Sequence, residues 1–152
     1  MVNDSGSSRI AIMFLFFTLA FSPSSNAGGE DSATGKAVHQ TLIQGIVAFN
    51  NEDLNGTLKA LHPDSPNYQV SKERISRIFR DHDVKMELVE FDFVGETGPY
   101  AIAHVKAKST KSSDADTTFK NNTTESLYIF RKQGNEWKFW GEYELQTTFE
   151  DK

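Results

Sequence analysis

A chain of 152 residues with 38% hydrophobic and 24% charged residues has the balance of one ordinary globular domain. Its formal net charge of −5, with Lys and Arg interspersed among acids, leaves no electrostatic footprint for nucleic acid. The lack of cysteine excludes disulfides, zinc–thiolate sites, thiol nucleophiles and lipid attachment through sulfur, so packing by 12 Phe, 4 Tyr and 2 Trp must hold the fold.

The N-terminus joins Arg9, an apolar run from Ile10 to Phe21, and the small residues Ser25 and Ala27. These are the three parts of a secretory signal. A spanning helix needs about 20 apolar residues, and the run falls short of that. Residues 1–27 are therefore expected to be a cleaved signal, with an uncleaved anchor as the alternative. Export to the periplasm or the exterior follows, with no stable membrane anchor after cleavage. Residues 28–34 are small and polar and are expected to form a flexible leader ahead of a domain over residues 35–152.

Val38, Leu42, Ile43, Ile46, Val47 and Phe49 recur at helical spacing. Asn51 or Asp53 can cap a second, short helix carrying Leu54, Leu58 and Leu61, which Pro63 and Pro66 end. A third helix is expected after Ser71, with Ile75, Ile78 and Phe79 as its stripe. From Val84 the period changes. Strands are expected over Val84–Val94, Tyr100–Lys108, Thr123–Lys132 and Trp137–Thr148, with turns at Gly95–Pro99 and Gln133–Glu136 and a polar loop at Ser109–Thr118. Three helices followed by four adjacent strands give an α+β fold, with the helices on one face of an antiparallel sheet.

In the last hairpin both alternating sets are apolar: Leu127 and Ile129 oppose Tyr128 and Phe130, and Trp137, Phe139 and Tyr143 oppose Trp140. An antiparallel sheet with one wet face should alternate apolar with polar. The helices cover one face, and a homodimer through the other is the simplest way to cover it.

Two segments carry a family resemblance. Phe49–Pro66, with Phe-Asn-Asn-Glu-Asp-Leu and Leu-His-Pro-Asp-Ser-Pro, resembles the SnoaL-like branch of the nuclear transport factor 2-like superfamily, and so does Leu127–Phe139, which runs through a Gly turn into Trp-Lys-Phe. The resemblance covers nearly all of the chain beyond the signal. It implies a cone of curved antiparallel sheet wrapped around three N-terminal helices, usually dimeric through the sheet. Its motifs specify fold rather than reaction, since members include isomerases, cyclases, dehydratases, ligand binders and interaction modules. Many members place histidines on the cavity side of the last strand, where this chain has Gly141 and Tyr143.

Three residues are candidate catalysts. His82 lies at helical spacing from Ile75, Ile78 and Phe79 and so either faces the cone interior as a proton shuttle or simply ends the helix. The second is favoured, because a catalytic base needs a placed partner. Asp92, among Phe91, Phe93 and Val94, either has a raised pKa and pairs with Tyr143 or, more in keeping with alternation, sits with Glu90 on a wet rim. Trp137, Phe139 and Tyr143, with Phe79 and Tyr68, are the candidate lining of a site for a small apolar ligand; plain core filling is the competing reading.

Asp81, His82 and Asp83 cannot converge on a metal from successive positions, and Asp114 with Asp116 is too few ligands for calcium. Neither a metal nor a cofactor is expected. The reading that follows is an exported, non-catalytic cone-fold domain that binds a small apolar molecule or a protein partner. The alternative is a cofactor-free isomerase or dehydratase using His82, Asp92 or Tyr143.

Overall fold

The computed structural model describes residues 32–150 except 114, 115 and 117. The expected signal and residues 28–31 of the leader therefore lie outside the described residues. Ser32 caps helix α1 (Ala33–Asn50) by accepting the Gly35 N–H at 2.9 Å, so the last residues of the expected leader already belong to the helix. Glu52 takes a left-handed φ of 55° in the turn that follows. Asp53 then caps α2 (Leu54–Lys59) through the Gly56 N–H. Helix α3 runs from Tyr68 to Asp81, starting directly after Pro66 and Asn67 and before the expected Ser71.

Four strands follow in a simple meander: β1 (Val84–Thr97), β2 (Tyr100–Lys111), β3 (Asn122–Gln133) and β4 (Glu136–Phe149). All neighbours are antiparallel, and the curved sheet does not close. The two tight hairpins turn at Gly98 and Gly134, whose φ values of +55° and +59° suit glycine and strain other residues. The expected order of elements and the cone architecture are both present.

The helices lie on the concave face. Val38 of α1 joins one core cluster with Phe91 and Phe93 of β1, Ala101, Ala103, Val105 and Ala107 of β2, Phe130 of β3 and Trp137 of β4. The small residues along β2 leave room for α1 to approach the centre of the sheet. Both edge strands are capped against stray pairing. The Asn50 side chain donates to the Met86 carbonyl (2.8 Å) and accepts from the Met86 N–H (2.7 Å), standing in for a neighbouring strand at β1. At β4, Phe139 exchanges backbone bonds with Ala60 and His62. Among the described residues no helix is long and apolar enough to cross a membrane.

Four one-residue bulges shape the sheet. Val89 and Val94 are the extra residues in β1, and Trp140 and Leu145 are those in β4. Each bulge reverses the alternation beyond it, because a shift of one residue exchanges the two faces of a strand.

Candidate functional site

The three candidate catalysts sit in places that cannot cooperate. His82 ends α3 with extended angles (φ −143°, ψ 144°), so its side chain leaves the helical stripe. Its Nδ1 lies 2.6 Å from Asp116 Oδ2 and its ring packs on Phe119, away from the cone interior. Asp116 also accepts from the N–H groups of Phe119 (3.0 Å) and Thr118 (2.9 Å) and from the Thr118 hydroxyl (2.8 Å). These donors, the Phe119 N–H foremost and His82 next, hold its carboxyl well below the usual carboxylate range. The pair fastens the end of α3 to the β2–β3 connection. Asp81 turns instead to Arg80, and Asp83 to Lys85 and Ser112, so the acidic triplet does diverge.

Asp92 stands on the convex face, its side chain 59% exposed, with His104 Nδ1 at 3.4 Å. This is the wet rim that alternation suggests. Tyr143 is 67% exposed and shares that face. Register places Asp92, His104, Leu127 and Tyr143 in one row, one residue per strand. Three strand spacings of about 4.8 Å separate the ends of the row, so Tyr143 cannot donate to Asp92.

The expectation that Trp137, Phe139 and Tyr143 share one face is corrected by the bulge at Trp140. Phe139 opposes Phe130, yet Gly141 opposes Ile129, so the face changes between them. Trp137 is 5% exposed and belongs to the core. Phe139 is half-buried against Tyr128, with ring centroids 5.0 Å apart. Phe79 packs on Phe49, and Tyr68 is half-buried at the start of α3.

A different polar group occupies the concave face beyond Phe139. Ser126, Tyr128 and Glu142 share it: Glu142 opposes Tyr128 in register, and the Ser126 hydroxyl donates to Glu142 at 3.1 Å. Ser126 is only 1% exposed, an unusual place for a hydroxyl unless it is bonded. Burial, and then the nearby Glu142 carboxylate, push the Tyr128 phenol up from its ordinary value, while Arg74 of α3 opposes them. At neutral pH Tyr128 is thus a hydrogen-bond donor and no base. Its hydroxyl makes no hydrogen bond to the described residues, and no described side-chain polar atom is both sealed off and unpartnered. The hydroxyl is therefore not sealed off, and Arg74 of α3 lies near enough to act on it. That helix is amphipathic, but none of its residues is buried; Ile75, Ile78 and Phe79 are all half-buried.

The sequence held part of this signal. Ser126 interrupts the apolar set of Tyr128 and Phe130 at strand spacing, marking a polar gap on a core face. Glu142 was hidden, because only the bulge brings it inward.

Over residues 40–149 the chain matches the family described as anti-sigma-I factor RsgI9, C-terminal domain. No curated protein sequence matches it. Solved structures share its fold at low identity. A nuclear transport factor 2-like protein of unknown function from Pseudomonas putida has a TM-score of 0.61 at 14% identity, covering 79% of this chain and 96% of that one. A protein of unknown function from Mycobacterium tuberculosis has a TM-score of 0.62 at 12% identity, covering 74% and 70%. A provisionally assigned dehydratase of the same superfamily from Streptomyces avermitilis has a TM-score of 0.54 at 13% identity, covering 72% and 92%. At such identities the likeness concerns the fold alone. With three helices on the concave face of an open four-stranded meander, the chain has the nuclear transport factor 2-like fold and belongs to the family of the anti-sigma-I factor RsgI9 C-terminal domain.

Proposed function

We propose that this is an exported binding domain without catalytic activity, taking a small, largely apolar molecule with one hydrogen-bond acceptor between α3 and the Tyr128 end of the concave face. The observation that carries the reading is the Tyr128 hydroxyl, held neutral and without a hydrogen-bond partner among the described residues, near the half-buried stripe of α3. A donor so placed gives orientation to a ligand whose apolar body packs on Phe139 and the helix. The dispersal of His82, Asp92 and Tyr143 favours binding over turnover. A pocket that binds rather than reacts also fits the terminal domain of a regulator. The test is a fluorescence titration of the purified protein with 8-anilinonaphthalene-1-sulfonate, an apolar probe carrying acceptor oxygens. Tyr128→Phe should weaken binding about tenfold, the worth of one hydrogen bond; equal affinity for the two proteins would overturn the reading. Export rests on the pattern of residues 1–27, and N-terminal sequencing of the secreted protein should begin at Gly28.

A second reading has its own observation. The convex face exposes Tyr143 beside Leu127, Ile129 and Ile102, with Lys106–Glu125 and Asp92–His104 alongside. An apolar centre flanked by both signs of charge suits a second copy of the same face. A monomeric mass by light scattering at micromolar concentration would count against a dimer.

A further inference from the structure

The geometry points to a divalent metal site on the convex face, formed by Glu90, Asp92 and His104, for zinc or a similar transition ion. This inference does not depend on the binding role proposed for Tyr128. Glu90 and Asp92 are two apart on β1 and so share a face, while His104 stands directly opposite Asp92 on β2. One ligand atom from each residue lies within 4.8 Å of the other two. Three donors on two paired strands are held by the ladder itself, so convergence needs only side-chain rotation.

The Asp92–His104 contact is informative in its length. At 3.4 Å, Nδ1 and Oδ2 are farther apart than a good hydrogen bond. Two donors each about 2.0–2.1 Å from a tetrahedral zinc are about 3.3–3.4 Å apart. The pair already has the edge length of a tetrahedral site.

The donor set also selects the ion. One imidazole and two carboxylates suit zinc and its neighbours, and the two negative charges match a divalent cation. Calcium needs six or more oxygens, which this cluster does not supply. Lys106, opposite Glu90, is the nearest competitor, and its ammonium is bonded to Glu125 at 2.9 Å. With three protein ligands the fourth position is open to water or to a group from outside the chain.

The test is calorimetric titration of the purified protein with zinc chloride, paired with cobalt(II) absorption as a report of tetrahedral geometry. One ion per chain is expected, with a visible cobalt band. His104→Ala and Asp92→Asn should each weaken zinc at least tenfold and abolish the band, with the melting temperature recorded to show that the variants fold. His82→Ala removes the other histidine–carboxylate pair and should leave binding unchanged. Zinc binding that survives His104→Ala, or that is lost in His82→Ala instead, overturns the assignment. So does the absence of heat and of a cobalt band at millimolar metal.

Discussion

The two ends of the concave face are built from the same strands and finished differently. Under α1, Val38, Phe130 and Trp137 interlock with the small residues of β2 and are at most 5% exposed. Near α3, the sheet offers Ser126, Tyr128 and an exposed Glu142, and the apolar stripe of the helix is only half-buried. The first end is finished as core. The second leaves polar groups on a face that folding alone would fill with apolar ones. Where a fold retains a buried hydroxyl, a raised phenol and an incompletely packed helix together, stability is a poor explanation for the choice of residues.

That contrast can be broken at several points. Phe130→Ala at the closed end should lower stability by about 3–5 kcal/mol, because a fully enclosed ring leaves a cavity. Phe79→Ala on α3 should cost about 1 kcal/mol, since a half-buried ring forfeits part of the transfer term. Chemical denaturation of the two variants checks the difference, and equal losses would erase the distinction between the ends. Asn50→Ala removes both bonds to the Met86 backbone and should cost about 1–3 kcal/mol, again measured by denaturation. This would show how far α1 depends on its clasp on the β1 edge.

Asp116 governs the anchor of α3 in acid. Its folded pKa is depressed, so its contribution is complete above the unfolded value of about 3.9 and is lost as pH falls below that. Asp116→Asn should therefore melt at a lower temperature than the parent at neutral pH and show a flatter decline from about pH 4 downward. Tyr128→Phe should change stability least, within about 0.5 kcal/mol, because the hydroxyl has no hydrogen-bond partner among the described residues to lose. Its loss should be felt in ligand affinity alone, which separates a binding role from a structural one.

Much of the fold was legible because its signals are local. Asp53 announces α2 through its cap, and the change of period at Val84 marks the first strand; α2 itself stops at Lys59, ahead of the prolines expected to end it, so Leu61 falls outside the helix and bridges to Phe139. Sequence pattern places the start of α3 late because Gln69 is polar and Val70, 65% exposed in the fold, adds little to the apolar stripe. Helical spacing misleads at His82, the residue where the helix gives way to extended chain. The candidate site was mostly illegible for one reason. Alternation predicts facing only while the count of residues is unbroken, and neither Trp140 nor Leu145 differs in kind from an ordinary strand residue. Alternation alone therefore puts Tyr143 on the face of Trp137 and Phe139 and gives no sign of Glu142. Glu90, Asp92 and His104 come together through strand pairing across a register, which no spacing along the chain encodes.

The extra residue at Trp140 acts like an inserted letter in a reading frame. Upstream of it, odd-numbered positions of β4 such as Trp137 and Phe139 face the helices; just downstream the even position Glu142 does, until Leu145 shifts the phase again. A one-codon deletion of Trp140 would take out that letter and nothing else: Gly141 would still oppose Ile129 and Glu142 would still oppose Tyr128, in a strand now regular. The carboxylate beside Tyr128 and the phenol on the outer surface would keep their faces. Homologues that lack one residue at this point can therefore present the same surfaces, and should be compared by facing rather than by alignment column.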